Sequence, residues 1–550
     1  MNPANVKDPI DTAQALSKIL DIPQKTALNR ISSKRTFVWL KRLADTQAIK
    51  QIEEMDLEGI GFVEEPKRVY PNRHLMGQVV GITNIDSKGI EGIEYFYDNL
   101  LIGKPREISL KRDAKGRRII SNPDNVQEFN RDKTAGHDIV LTVDTQIQHI
   151  VERELEEGIK AMNAEKGMAL LMNTETGEIM AMASYPFLDP NDFGSQPEKD
   201  RRNLPVWFMF EPGSTMKVFL AASAIEENKV TPSTVFNCEN GRRKVGSKVI
   251  RDVSPRGDLT VEQAIVVSSN ICASKIGELL GRDKYHEYLE RFGFGSKLGI
   301  DLPGESSGLM LPSRKWGQIE LATISFGQGV SVTALQITSA LSAIANGGYL
   351  MKPYIVKRII APDGSIIKEN EPEVLRRVIS YDTSHEITEI MKKVVDTGTG
   401  KRAAIPGIPV AGKTGTAQIP DPRTGGYHPD RYIASFIGFA PADDPKIALA
   451  VIVEAPKKKS HGGSVSAPIF KEIAEKVLFH LGVSPTNELV GAKVMPDLSG
   501  MSVREILNWS EKEGIKVKLS GSGFVKSQEP KPGDLIKEGM VCSIELQQNI

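Results

Sequence analysis

The 550-residue chain is too long for one hydrophobic core and predicts roughly two to four domains. Its 70 basic and 70 acidic residues cancel, which removes any bulk electrostatic case for a nucleic-acid partner. No apolar run approaches the roughly 18 to 20 residues that span a bilayer, and the opening Met1-Asn2-Pro3-Ala4-Asn5 lacks the basic start and apolar stretch of a signal peptide, so the chain is expected to be soluble as it stands.

In chain order, residues 1–135 are polar and mixed, with a helix predicted at 12–20 and charged helical stretches over 36–57. Val69-Tyr70-Pro71 and the run Gly77, Gly81, Gly89, Gly92 predict turns linking short strands and a helix. A sharper order begins at Ile139-Val140-Leu141-Thr142-Val143-Asp144, a strand leading into an amphipathic helix through Gln148, Ile150, Val151 and Leu155. The apolar runs 168–172 and 179–183, parted by Asn173-Thr174-Glu175-Thr176-Gly177, predict an antiparallel hairpin. Further strands are expected at 410–418, 433–439 and 447–453, with helices filling most of the interval before them and one more helix at 466–481. Gly482-Val483-Ser484-Pro485-Thr486-Asn487 reads as a linker. A small tail then pairs a helix at 503–513 with strands at 516–519 and 541–546. The chain thus divides into 1–135, 136–482, a linker at 483–490, and 491–550. Cys238, Cys272 and Cys542 are widely spaced and odd in number, which predicts structural thiols and neither a zinc site nor a disulfide framework.

Chemistry concentrates in three short segments. Glu211-Pro212-Gly213-Ser214-Thr215-Met216-Lys217 sets two breakers before a serine that opens the helical run Val218-Phe219-Leu220-Ala221-Ala222. Three residues apart on a helix, Lys217 is expected to reach the Ser214 hydroxyl, and the positive helix end favours a developing alkoxide. Lys217 must then be neutral part of the time, which calls for burial or nearby positive charge such as that of Lys413. Ser268-Ser269-Asn270 interrupts an apolar context with polar groups suited to a cleft. Lys413-Thr414-Gly415-Thr416 lies in a strand pattern, where glycine admits a close backbone and the lysine and hydroxyls suit a carboxylate. Singly, these read as an exposed helix pair, a helix cap and a flexible strand edge. In order, S-x-x-K, S-x-N and K-T-G make up the signature of penicillin-binding proteins and class A β-lactamases.

Residues 136–481 resemble the transpeptidase domain of penicillin-binding proteins, including Thr142-Val143-Asp144, Ser325-Phe326-Gly327-Gln328-Gly329 and Asn346-Gly347-Gly348. The segment with Gly89-Ile90-Glu91-Gly92-Ile93-Glu94 and Tyr97-Asp98 is similar to the pedestal, or dimerisation, domain of class B members, and no glycosyltransferase domain is seen. The tail resembles a PASTA module in Met495-Pro496-Asp497-Leu498-Ser499-Gly500-Met501 and Gln528-Glu529-Pro530-Lys531-Pro532-Gly533. One PASTA module on a class B enzyme looks like the division and sporulation branch, the relatives of FtsI and SpoVD. The fold implied is multidomain α+β: a pedestal, a transpeptidase domain with a five-stranded antiparallel sheet flanked by helices, and a small α+β PASTA module.

The resemblance implies that Ser214 attacks the penultimate D-alanine carbonyl of a stem pentapeptide, with Lys217 as base, Ser268 as proton relay and Asn270 orienting the peptide amide. Lys413, Thr414, Gly415 and Thr416 would bind the terminal carboxylate, and the backbone N–H groups of Ser214 and Thr416 would form the oxyanion hole. β-Lactams would acylate Ser214, and no metal or organic cofactor is called for. Family members are anchored by one N-terminal membrane helix and work outside the cytoplasmic membrane beside a glycosyltransferase of the FtsW type, so the sequence reads as a truncated form whose pedestal lacks a strand or two. Two rivals stand beside this reading. A carboxypeptidase or β-lactamase would pass the acyl group to water, although no E-x-x-L-N segment separates the last two motifs. A wall-binding scaffold or sensor would have no catalysis.

Overall fold

The computed structural model describes residues 1–63, 65–103, 111–112, 118–119, 135–484, 494–534, 536 and 540–548. Most of the expected 483–490 linker lies outside them. The chain forms two compact units, Met1–Pro71 with Thr83–Ser87, and Asn72–Ile82 with Lys88–Ile550.

In the smaller unit Pro9 opens α1 (Pro9–Ile19), where its missing N–H costs no helical bond. Helix α2 (Gln24–Ile31) follows, and Asp45 caps α3 (Thr46–Glu54) by accepting the Ala48 N–H at 2.7 Å. Leu16, Ala27, Ile31 and Ile52 close a small core. The helical stretch expected over 36–57 is confined to α3. Val38 instead exchanges backbone hydrogen bonds with Met1, and Arg42 forms ion pairs with Glu65 and Asp86.

In the larger unit the glycine-punctuated region forms three short helices, Gly77–Val80, Gly92–Phe96 and Asp98–Leu101, where short strands and one helix were expected. Its amides turn back on the same segment, as in Gly81 N–H to Gly77 O at 2.9 Å. Asp144 then caps α4 (Thr145–Met162) through the N–H groups of Gln146 and Ile147.

Alternating residues of β1 (Lys166–Asn173) serve two cores. Met168, Leu170 and Met172 pack on one side, Ala169 and Leu171 on the other. This strand pairs with β2 (Ile179–Tyr185), giving the expected hairpin. Helix α5 (Met216–Glu226) is buried from Met216 through Ile225, the mark of a helix enclosed on every side. A hairpin of β3 (Arg242–Val245) and β4 (Lys248–Arg251) precedes α6 (Asn270–Leu280). Helices α7 (Ala334–Ala345) and α8 (Tyr381–Asp396) lead to β5 (Ala411–Asp421), β6 (Gly426–Ala440) and β7 (Ile447–Glu454). The resulting five-stranded antiparallel sheet has the order β5-β6-β7-β1-β2. Helix α9 (Gly462–His480) joins α4 over one face, while α5, α7 and α8 pack into the core of the other.

The tail sets α10 (Val503–Glu513), closed by a Ser502–Glu505 capping box, beside β8 (Lys516–Ser520), β9 (Phe524–Glu529) and β10 (Val541–Gln547). Two of these strands, β8 and β10, coincide with those expected at 516–519 and 541–546. The third, β9, pairs antiparallel with β10, which also takes β8 in parallel. Asp497 of the tail forms an ion pair with Arg153 on α4, its side chain only 4% exposed. Among the described residues no helix is long and apolar enough to cross a membrane.

The expectation of three free thiols is corrected for two of them. Cys238 and Cys272 form a disulfide, their Cα atoms 5.3 Å apart across a separation of 34 residues, while Cys542 is free and buried.

Candidate active site

Ser214 lies in a tight 3-10 turn, Gly213–Thr215, that runs directly into α5. The turn begins at Gly213 with φ +57°, in the left-handed region that glycine enters without penalty. The Gly213 N–H donates to Gly327 O at 3.0 Å, and a Cβ added at Gly213 would stand 2.9 Å from Thr416 O. The serine turn is thus wedged between the Ser325–Gly329 loop and the K-T-G strand. Ser214 precedes the α-helical residues, where the sequence placed it at the helix start. Among the described residues Lys217 bonds to other groups. Its Nζ donates to Ser268 O at 2.6 Å and to Asn270 Oδ1 at 2.7 Å, and lies 3.2 Å from the Ser268 hydroxyl.

The S-x-N segment earns its shape from α6. Ser269 is the N-cap, accepting the Cys272 N–H at 3.1 Å, and Ser268 just before it adopts φ +63°, a strained conformation for a residue with a side chain. Asp252, at the end of the β3–β4 hairpin, accepts the Ser269 hydroxyl at 2.6 Å and the N–H groups of Asn270 and Ile271 at 2.5 and 3.1 Å. Asn270 Nδ2 donates to Arg251 O at 2.9 Å. The hairpin therefore fixes both the backbone and the amide of the motif.

Lys413 Nζ also reaches Ser268 Oγ, at 3.0 Å. One hydroxyl thus stands between two lysine nitrogens, both on fully buried side chains. Burial pulls Lys217 well below the usual lysine range, the nearby Lys413 pulls the same way, and Asp252 opposes them. Burial brings Lys413 down to about 7. Burial of this kind favours the neutral form of an amine, and a neutral amine beside a hydroxyl can act as a base.

Thr414, Gly415 and Thr416 follow Lys413 along β5, opposite Phe436, Ser435 and Ala434 of β6. Thr414 Oγ1 is 2.8 Å from Thr399 Oγ1, and Thr416 Oγ1 accepts the Gly462 N–H at 3.1 Å, which leaves the Thr416 hydroxyl proton free to donate. Gly415 is required by proximity: a Cβ there would lie 2.2 Å from Ser435 Oγ and 2.8 Å from Pro212 O. Beyond the motif, β5 and β6 continue into an arm whose Tyr427 hydroxyl donates to Glu211 at 3.0 Å, and the same carboxylate accepts the Gly329 N–H at 2.8 Å.

Direct hydrogen bonds therefore unite Lys217, Ser268, Asn270 and Lys413, and backbone packing brings the Ser214 turn against Thr416. Asp252, Glu211 and Tyr427 were not singled out from sequence. Glu211 was in view inside the quoted serine segment, whereas nothing local marks Asp252 or Tyr427.

Comparison with known proteins finds three family domains in this chain. Residues 167–475 match the penicillin binding protein transpeptidase domain, residues 1–141 the penicillin-binding protein dimerisation domain, and residues 493–547 the PASTA domain. Stage V sporulation protein D of Bacillus subtilis is 36% identical, covering 99% of this chain and 86% of that protein. The peptidoglycan D,D-transpeptidase FtsI of Escherichia coli is 34% identical, covering 88% and 79%. The crystal structure of penicillin-binding protein 3 from Mycobacterium tuberculosis superposes with a TM-score of 0.68 at 32% identity, over 77% of this chain and 93% of that one. Joined to a dimerisation domain before it and a PASTA domain after it, the transpeptidase domain assigns this chain to the penicillin-binding protein family, as a class B transpeptidase of the FtsI and sporulation protein D branch.

Proposed function

We propose that the chain cross-links peptidoglycan stem peptides as a D,D-transpeptidase through an acyl-enzyme on Ser214. Neutral Lys217 takes the Ser214 hydroxyl proton as Oγ attacks the penultimate D-alanine carbonyl, and the N–H groups of Ser214 and Thr416 receive the developing oxyanion. Collapse breaks the C–N bond. The departing D-alanine amine collects a proton relayed through Ser268, and the acyl group stays as an ester on Ser214. The amine of a second stem then attacks the ester carbon, the C–O bond breaks, and the proton returns to Ser214. Asn270 orients the peptide amide, while Lys413, Thr414 and Thr416 hold the terminal carboxylate across Gly415, where no side chain intrudes. β-Lactams, which present a strained amide and a carboxylate at similar spacing, acylate the same serine.

The observation that carries this reading is the Ser268 hydroxyl held 3.2 Å from Lys217 Nζ and 3.0 Å from Lys413 Nζ. A relay between two buried lysines has little use in a scaffold. We infer further that the protein works in septal wall synthesis, in division or sporulation, at the outer face of the cytoplasmic membrane and beside a glycosyltransferase of the FtsW type. The names of the FtsI and sporulation relatives support that setting.

Intact-mass analysis after penicillin exposure, with peptide mapping, tests the chemistry. One persistent adduct on the Ser214 peptide is expected, absent in Ser214→Ala. Rapid loss of the adduct would make the protein a hydrolase, and no adduct would leave a scaffold.

A further inference from the structure

The β3–β4 hairpin carries an arrangement that acylation of Ser214 does not use. Arg242 stands opposite Arg251 and Lys244 opposite Val249. Paired residues of a ladder share a face, so these four side chains point the same way. All four are exposed, whereas the other face buries Val245 and Ile250 and pairs Arg243 with Glu278 at 2.7 Å. Residues 242–256 hold six basic side chains (Arg242, Arg243, Lys244, Lys248, Arg251 and Arg256) against the single acid Asp252, in a chain whose total charge is zero. Among the described residues the ion pairs of this hairpin are those of Arg243, with Glu278 and Glu239. Arg242, Lys244, Lys248 and Arg251 form none. Like charges set directly opposite destabilise a ladder. The buried face holds the hairpin together, and the outer face keeps a repulsion that an anionic ligand would relieve.

The hairpin that carries this face is tied to the catalytic segment through its backbone and its other face. Asn270 bonds to Arg251 O, and Asp252, the next residue, binds Ser269 and Asn270 and donates its own N–H to Gly241 O at 3.1 Å. In the transpeptidase reading, on which this inference rests, the leaving amine departs past Ser268 and Asn270, and the acceptor amine reaches the same carbonyl by the reverse of that path. Asn270 touches the β3–β4 hairpin at Arg251, so a peptide whose amine arrives beside Asn270 meets the end of that hairpin. We propose that Arg242, Lys244 and Arg251 dock the acceptor stem peptide through its free carboxylates. The donor is gripped on the K-T-G strand, the acceptor on the basic hairpin, and Asn270 lies between them. Arginine suits the task because its planar fork binds a carboxylate through two parallel hydrogen bonds.

The test uses the full chain and the triple variant Arg242→Gln/Lys244→Gln/Arg251→Gln, with fluorescence anisotropy of a stem tripeptide labelled at its N-terminal amine. A second probe is the same peptide with its carboxylates amidated, and both are titrated at low and high salt onto free and penicillin-treated protein. The free-acid peptide is expected to bind wild type roughly tenfold more tightly than the triple variant, with salt closing the gap. The amidated peptide should bind both proteins alike. Arg242→Lys/Arg251→Lys, which keeps the charge, should retain most of the affinity, and equal thermal midpoints establish that the variants are folded. Unchanged affinity in the triple variant, equal loss for the amidated peptide, or no binding of the acid peptide to wild type overturns the proposal. Penicillin labelling of wild type separates the two ideas: failure to label Ser214 sinks the transpeptidase reading, whereas normal labelling with unaltered peptide binding sinks only the acceptor face.

Discussion

Asp252 accepts the backbone N–H of Asn270 at 2.5 Å across 18 residues of chain. With its second oxygen on the Ser269 hydroxyl, it steadies the start of α6 and therefore the left-handed turn that aims Ser268 between the lysines. Asp252→Ala is expected to slow acylation by labelled penicillin about ten- to a hundredfold and to cost about 1–2 kcal/mol of stability. Asp252→Asn, which keeps one acceptor, should fall between. Labelling rates and thermal melts check this, and a wild-type rate in Asp252→Ala would remove the residue from any positioning role.

The two lysines make opposite demands on pH. In the proposed mechanism Lys217 must be neutral to accept a proton, and burial with Lys413 beside it holds it well below its ordinary range. The same mechanism needs Lys413 charged to hold a carboxylate, and burial brings its proton loss down to about 7. The second-order rate of acylation should therefore rise as Lys217 deprotonates and fall as Lys413 does, giving a bell. Asp252→Asn removes the negative charge that opposes deprotonation of Lys217, and should move the rising limb to lower pH.

The same burial weakens the fold. An unfolded lysine keeps its proton to about 10.4, whereas folded Lys413 releases it at about 7. The unfolded chain binds the extra proton between those values, so stability rises with pH across that window and the full penalty applies below it. Lys413→Met should abolish penicillin labelling while stabilising the protein by about 1–3 kcal/mol at pH 6, with the gain shrinking toward pH 10. Denaturant melts at three pH values would show it, and a destabilised Met variant at pH 6 would contradict the argument.

Reducing the Cys238–Cys272 disulfide frees a loop of 34 residues, and loop-closure entropy sets the expected loss at about 3–4 kcal/mol. Thermal midpoints with and without reductant should differ accordingly, and Cys238→Ser/Cys272→Ser should melt at the reduced value in both conditions.

The three motif segments were legible because each is a local pattern: breakers before Ser214, paired hydroxyls before Asn270, a glycine after Lys413 and Thr414. The central sheet was legible for a similar reason, since the runs at 168–172 and 447–453 show continuous apolar character between turn residues. What escaped depends on distance. Asp252 is one acid in a basic stretch, and only the folded hairpin brings it to Asn270. Cys238 and Cys272 have a separation that fits no pattern, and their proximity is a product of packing. Helix over 36–45 was overruled when Val38 found a backbone partner in Met1. Strand β9 was missed because Phe524-Val525-Lys526-Ser527-Gln528-Glu529 is mostly polar, held by its ladder to β10 and by the buried Val525.

The K-T-G strand stands last in its sheet, with β6 on one side only. An edge strand presents unmatched amides and carbonyls to whatever lies alongside, and an extended peptide can answer them as an added strand. Recognition of that kind reads the main chain, which every stem peptide shares, and is largely indifferent to side chains. An enzyme built this way can keep the same binding register while the middle of its substrate drifts in composition, leaving selectivity to the groups at either end.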